Sequence, residues 1–248
     1  MSFASWRDRQ RRSMRKLINR VIYNEHHFVS TYLGTDFLVS PVNKGGLEIF
    51  AKVSERALLQ SFMAMCAQTS PDILIDVGAN IGLYSCIIMK NKLARRALLF
   101  EPDRRNAVYL RANLLINGLI GDSVAVYEAA AGAAKGRARL TPGPRYDVGL
   151  SMIAGTEDAV GAYEVEVVRF DDVAALANRT LAIKIDVEGY ELAVLAGMER
   201  TLRENRGFAQ IEVYDERREQ VVGKMADAGY SLVRDFPRFP PNLVFRKV

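Results

Sequence analysis

Three charged side chains alternate with apolar ones in Leu181-Ala-Ile-Lys-Ile-Asp-Val-Glu-Gly189, where Ile183, Ile185 and Val187 separate Lys184, Asp186 and Glu188. On an extended strand a period of two sends all three charges to one side. A central parallel strand is normally apolar on both faces, and buried charges are costly unless they are paired or used. Lys184 can simply neutralise Asp186, and Glu188 can lie past the strand end. Even so, acids at the carboxyl end of a central strand sit at the crevice where open α/β sheets bind ligands. Glu212 closes another predicted strand, Phe208–Tyr214, and brings a further carboxyl to the same edge. Asp186, Glu188 and Glu212 are therefore the candidate catalytic residues, with proton removal from an acceptor hydroxyl as the chemistry they suit.

The second constellation is Asp76-Val-Gly-Ala-Asn-Ile-Gly82, which follows the apolar run Ile73-Leu-Ile75. The run reads as a buried parallel strand, and the segment Leu83 to Asn91 reads as a helix. Gly78 lets the chain bend sharply, and Gly82 is expected to let backbone approach a ligand. A dinucleotide fingerprint would need G-x-G-x-x-G at this turn. The pattern here is D-x-G-x-N-x-G, and a carboxylate at the strand end repels a pyrophosphate but suits a cationic ligand. S-adenosylmethionine carries an ammonium, a carboxylate and a sulfonium and no phosphate, so it fits the turn better. Asp76, Gly78, Asn80 and Gly82 are the candidate binding residues for it.

Two more acids end predicted strands. Glu101 follows Asp76 by 25 positions and closes Ala97-Leu-Leu-Phe-Glu-Pro102. In nucleoside-binding α/β folds an acid near this point accepts hydrogen bonds from ribose hydroxyls. Glu128 closes Ser123-Val-Ala-Val-Tyr-Glu128, where an acceptor can reach an adenine amino group, although Ala129-Ala-Ala-Gly132 adds no specific support.

These residues need a scaffold that brings strand ends to one edge. Strand and helix patterns alternate from residue 54 to residue 228, with helices at 54–67, 83–91, 103–117, 190–205 and 215–228. Ser231–Phe236 and Asn242–Val248 then read as an antiparallel pair around a Pro-rich turn. That order specifies a doubly wound α/β sheet with one reversed strand. Gly136–Leu140 and Tyr163–Phe170 read as an added strand pair joined by the long loop Thr141–Ala162, a length usual for a lid. The N-terminal 1–53 reads as an extension, with a helix at 3–22 and short strands around Phe37–Val39 and Leu47–Phe50. Residues 54–248 form the main domain.

The chain has 248 residues, 49% hydrophobic and 25% charged, as in globular proteins. Seven basic side chains and one acid fall within residues 1–20, so the formal charge of +5 belongs to that segment and the remainder is nearly neutral. A neutral body argues against a broad nucleic-acid face. The basic amphipathic helix can lie on an anionic membrane surface, or pack on the body or on a second subunit. The first segment is too charged for a signal peptide. Cys66 and Cys86 lack metal-like spacing and read as buried thiols, which suits a cytoplasmic, reducing setting.

Asp76-Val-Gly-Ala-Asn-Ile-Gly82, Phe100-Glu-Pro102, Asn113 to Asn117, Arg169-Phe-Asp-Asp172 and Lys184-Ile-Asp-Val-Glu-Gly189 occur in this order. Together they resemble the FkbM family of S-adenosylmethionine-dependent methyltransferases, over roughly residues 50–215. The Lys-x-Asp-x-Glu-Gly element is the most specific part. The resemblance implies a class I methyltransferase, Rossmann-like fold: a doubly wound, mostly parallel seven-stranded sheet with a C-terminal antiparallel strand. It implies O-methylation, often of sugar hydroxyls or natural products. It also places Asp186 and Glu188 beside the methyl donor and makes Glu55 similar to an acid that the family carries ahead of its core.

Asp186, with Glu188 or Glu212, is then expected to orient and deprotonate the acceptor. The rivals are an RNA or protein methyltransferase, supported by the basic N-terminal helix alone, and a nucleoside-binding or membrane-surface protein without turnover. The latter has no need of the Lys184–Asp186–Glu188 face. His26 and His27 read as surface or packing residues. A magnesium ion on Asp186, Glu188, Glu212 or Asp215 suits oxygen chemistry, but the spacing does not require a metal.

Overall fold

The structure is a computed structural model that describes residues 28–39, 53–141, 152–153, 161–237 and 241–248. The predicted helix at 3–22, His26, His27, the segment Leu47–Phe50 and most of the Thr141–Ala162 loop lie outside the described residues.

The chain order is β1 (Phe28–Tyr32), β2 (Thr35–Val39), α1 (Val53–Thr69), β3 (Ile73–Val77), α2 (Leu83–Lys90), β4 (Arg96–Phe100), α3 (Arg104–Ile116) and β5 (Val124–Tyr127). Then come β6 (Ala130–Ala131), β7 (Gly136–Thr141), β8 (Met152–Ile153), β9 (Tyr163–Val168), α4 (Phe170–Val173), β10 (Thr180–Ile185), α5 (Glu191–Gly197) and α6 (Glu199–Glu204). The last elements are β11 (Arg206–Glu212), α7 (Arg218–Asp227), β12 (Ser231–Phe236) and β13 (Asn242–Lys247).

Seven strands form the main sheet in the order β12-β13-β11-β10-β3-β4-β5. Only β13 runs against its neighbours in that sheet; the pairs β11–β10, β10–β3, β3–β4 and β4–β5 are all parallel. The direction of strand order reverses at β3 and β10, and there the carboxyl ends of adjacent strands open a crevice.

Alternation along these strands divides the interior in two. Ile75, Val77, Ile183, Ile185 and Ile211 face one side and pack with Val194, Leu195, Met198, Val221 and Met225 of the α5–α7 layer. Leu74, Leu99, Ala182 and Phe208 face the other and pack with Leu59, Phe62, Tyr84, Ile87 and Leu110 of the α1–α3 layer. Each fully buried Leu, Ile or Phe contributes about 1.5–3 kcal/mol, so the crevice is framed by two stiff layers. The β1–β2 hairpin is fastened to the α1–α3 side: Asn113 Oδ1 accepts from the Leu38 N–H at 2.7 Å, and Asn117 Oδ1 from the Asp36 N–H at 3.0 Å. Asn113 also donates to the Ile81 carbonyl at 2.8 Å and thereby braces the turn before α2.

Three elements depart from the sequence reading. The helix expected over 190–205 is two helices broken at Met198. Gly197 passes so close to β6 that a Cβ there would lie 2.0 Å from the Gly132 carbonyl oxygen. The glycine that this contact demands also weakens helix continuation. The helix expected from Asp215 begins as a 3-10 turn, Asp215–Arg217, before α7. The added strand pair belongs to a four-stranded sheet, β6-β9-β7-β8, in which the small residues Ala130 and Ala131 form β6. Among the described residues, no helix is long and apolar enough to cross a membrane.

Candidate active site

The crevice above β3, β4 and β10 is a cavity of about 660 Å³ including its open mouth, a size usual for a nucleoside-sized ligand. Its walls come from the β3–α2 turn (Gly78, Asn80), the end of β4 (Phe100, Glu101, Pro102), Asn106 of α3, Ala129–Ala131, Leu140, and the segment after β10 (Asp186, Val187, Glu188, Tyr190).

Tight backbone packing sets the β3–α2 turn. Gly78 has φ 81°, and a Cβ on it would fall 1.8 Å from the Asp186 carbonyl oxygen. The Asp186 N–H in turn donates to the Val77 carbonyl at 3.0 Å. The glycine thus lets the turn after β3 lie against the turn after β10, which fixes where Asp186 begins.

Glu101 lies beneath the crevice wall, 4% exposed. Its Oε2 accepts from the Asn80 N–H at 2.7 Å and its Oε1 from the Asp103 N–H at 2.8 Å, and the Asn106 side chain donates a third hydrogen bond. Burial pushes its carboxyl up, to about 8, against these donors, which favour the charged form. The carbonyl oxygens of Asn80 and Asn106 are buried and have no donor.

On the α1–α3 face of the sheet a polar row crosses three strands in register: Asp76 of β3, Lys184 of β10 and Gln210 of β11. Lys184 is buried, and its Nζ lies 3.2 Å from Asp186 Oδ2 and 5.3 Å from the centre of the Tyr84 ring. Desolvation alone would lower its pKa, but the charges of Asp186, Glu212 and Glu55 outweigh that and hold the ammonium above its ordinary range. Gln210 donates to the Tyr84 hydroxyl at 3.1 Å and to Asn242 Oδ1 at 3.2 Å, and Asn242 donates to Glu212 Oε2 at 3.2 Å. The Tyr84 hydroxyl also bonds Glu55, so the acid ahead of the core joins the same network.

The carboxylates of Asp186, Glu188 and Glu212 come together, with oxygens within 4.8 Å of one another. A divalent cation could bridge such a set, though the Lys184 ammonium already supplies a positive charge beside it. Burial first, and then the charge of Asp186, pushes Glu212 up to about 8. Glu188 is raised by burial and accepts a 2.6 Å hydrogen bond from the Tyr214 hydroxyl. Its backbone is left-handed at φ 49°, followed by Gly189 at φ 100°. A non-glycine residue there costs about 1–2 kcal/mol. Glu191 offsets part of that cost by accepting from the Gly189 N–H at 2.6 Å. This turn explains the Glu-Gly step in the sequence.

Comparison with known proteins gives the family and supports the fold. The FkbM methyltransferase domain model matches residues 76–232 of the chain. The chain belongs to the FkbM methyltransferase family. A curated relative, Methyltransferase sdnD of Sordaria araneosa, is 25% identical over 205 residues, covering 70% of this chain and 79% of the relative. The crystal structure of an FkbM methyltransferase from Methylobacillus flagellatus KT superposes with a TM-score of 0.50 at 21% identity, over 71% of this chain and 43% of that one. This chain therefore spans less than half the length of that structure. M. jannaschii TYW2, solved in complex with AdoMet, shares the fold at a TM-score of 0.50 and 12% identity, over 92% and 90% of the two chains. The family match makes the protein a methyltransferase, and its sheet is that of the class I enzymes.

Within this FkbM-family chain, the crevice gathers Gly78, Asn80, Glu101, Asp186 and Glu188, with Glu212 adjoining. Three residues singled out from the sequence lie elsewhere. Asp76 is 2% exposed beneath the turn, where it bonds the Ser85 hydroxyl of α2. Gly82 packs on α3: a Cβ there would meet Leu110 Cδ1 at 2.6 Å. Glu128 is exposed and pairs with Arg111 at 3.6 Å. The residue after Glu128 begins the small-residue wall Ala129–Ala131, which the sequence reading passed over. A run of alanines directly after a predicted strand end was its available signal. Asn106 was also missed; a buried Asn in a helix's first turn needs a polar purpose.

Proposed function

We propose that the enzyme transfers a methyl group from S-adenosylmethionine to a hydroxyl oxygen on a sugar or a natural product. The observation that carries this reading is the Lys184–Asp186 pair, whose carboxylate lines the crevice, with Glu188 and Glu212 beside it. The crevice suits the donor's chemistry. Glu101 and the buried acceptor oxygens around it suit ribose hydroxyls. Phe100, Pro102 and Ala129–Ala131 offer apolar walls for a base. Asp186 suits a cationic centre.

When bound, S-adenosylmethionine supplies an electrophilic methyl group on a sulfonium. A sugar hydroxyl is a weak nucleophile, so losing its proton as the new bond forms helps the reaction. Asp186 accepts that proton, and Lys184 steadies its carboxylate beforehand. Glu212, its carboxyl raised by burial and by the charge of Asp186, adjoins Asp186 and Glu188 and helps shape the acceptor side. Glu188, held by Tyr214, completes the wall. Much of the acceleration comes from holding the two reactants together.

The test is transfer of labelled methyl from S-adenosylmethionine to a panel of sugar and natural-product alcohols by wild-type protein and Asp186→Asn. The variant should keep cofactor binding and lose at least about 100-fold in turnover, the lower range of general-base effects. Unchanged turnover in Asp186→Asn would remove Asp186 from the role.

A further inference from the structure

We infer that Asn106 is a binding residue for the ribose of the cofactor, and that its side-chain carbonyl accepts the hydroxyl that Glu101 has no room to accept. The inference rests on the S-adenosylmethionine reading above and adds a residue to it.

A carboxyl group offers about four lone-pair positions when ionised and fewer when it keeps its proton. Glu101 already receives three donors, from the Asn80 N–H, the Asp103 N–H and the Asn106 amide. At most about one acceptor position is left in either form, and a ribose presents two adjacent hydroxyls. The second O–H therefore needs another acceptor within a few ångströms of Glu101. Asn106 Oδ1 meets that need. It lies on the side chain that already bonds Glu101, the residue lines the crevice at 3% exposure, and its oxygen is buried with no donor. A buried acceptor left without a donor is costly, and native structures carry few of them.

The position on α3 supports this. Asp103 caps the helix by accepting from the Arg105 N–H at 2.8 Å, so the first turn does not need Asn106 as a cap. Asn is an indifferent helix former, and a buried one at the third helical residue adds nothing to the helix itself. Its amide reaches the acid at the end of β4, the strand next to the switch point.

The test is calorimetric and needs no methyl acceptor. S-adenosylhomocysteine and its 2′-deoxy and 3′-deoxy analogues are titrated into wild-type protein, Asn106→Leu and Asn106→Asp. Wild type should bind the parent compound and lose roughly 10-fold or more on removal of either hydroxyl, the cost of leaving one buried group unpaired. Asn106→Leu should bind the parent about 10-fold more weakly, and one of the two deoxy analogues should bind it as tightly as the parent does. That non-additivity assigns the hydroxyl to Asn106. Asn106→Asp keeps an acceptor oxygen at the site and should still discriminate against the same analogue, which covers the case in which the leucine variant does not fold. The inference is overturned if Asn106→Leu weakens all three compounds by one common factor, if it binds the parent like wild type, or if wild type does not distinguish the analogues. If wild type binds no S-adenosylhomocysteine at all, the cofactor reading itself fails and takes this one with it.

Discussion

The Lys184 ammonium stands 3.2 Å from Asp186 Oδ2, with the lysine 4% and the aspartate 35% exposed along their side chains. The cation is sealed inside the sheet, and the anion it holds reaches the crevice. Such a pair aims the carboxylate without occupying the solvent side of it. Lys184→Met should therefore do more than remove a charge, because it leaves the Asp186 carboxylate without the cation that it pairs with. We expect a loss of about 2–3 kcal/mol in stability, under the roughly 3–5 kcal/mol for a fully buried pair because Asp186 is partly solvated. Denaturant melts measure it. A variant as stable as wild type would show that the acids are balanced by something other than Lys184.

Glu212 sets a pH dependence of stability. An unfolded chain ionises a glutamate near about 4.3, whereas the folded Glu212 holds its proton up to about 8. Between these values the folded state carries a proton that the unfolded state has released, so stability is whole below the window and falls as pH rises through it. Glu101, also raised to about 8, contributes with the same sign. Glu212→Gln should thus reduce, without abolishing, the fall in Tm from pH 5 to pH 8. Thermal melts across that range check it, and a wild-type slope in the variant would contradict the assignment.

The hydroxyl of Tyr214 donates to Glu188 at 2.6 Å. Tyr214→Phe removes that bond and leaves Glu188 freer to turn away from the crevice. A loss of one hydrogen bond to a charged group corresponds to about 1.5–3 kcal/mol, or roughly 10-fold or more in turnover, with cofactor affinity nearly unchanged. Equal losses in cofactor affinity and turnover would place Glu188 at the cofactor instead.

Much of this was legible before the structure. The apolar run Ile73–Ile75 and the alternation in Leu181–Val187, with glycine turns after them, specified parallel strands whose ends converge, and Asp186, Glu188 and Glu101 followed from that edge. What the sequence did not separate was the direction in which neighbouring side chains point. Asp76 sits one residue before the strand's last position, and its side chain lies on the sheet face under α2, where Ser85 bonds it, away from the crevice. Gly82 is small for the sake of Leu110. Glu128 lies one residue before the crevice wall, and a one-residue step turns a side chain to the other side. The network through Gln210 and Asn242 depends on pairing between β11 and a strand 30 residues later, which no local pattern announces.

Two substitutions at glycine and acid positions follow from these placements. Gly78→Ala puts a Cβ against the Asp186 backbone oxygen at a positive φ, and nothing there can yield as a flexible side chain can. It should lower Tm sharply and abolish cofactor binding. Glu128→Ala removes only an exposed pair with Arg111, and surface pairs are worth about 0–1 kcal/mol. Its affinity for S-adenosylhomocysteine should match wild type, and a large loss would return Glu128 to the binding site.

The most direct measurement is calorimetric titration of the wild-type protein with S-adenosylhomocysteine, with NAD as the control and Glu101→Ala alongside. One-to-one binding of S-adenosylhomocysteine, silence with NAD and a marked loss in Glu101→Ala is the expected result. Folded protein that binds neither compound, or that binds NAD in preference, would contradict a methyl-donor site in the crevice between β3, β4 and β10.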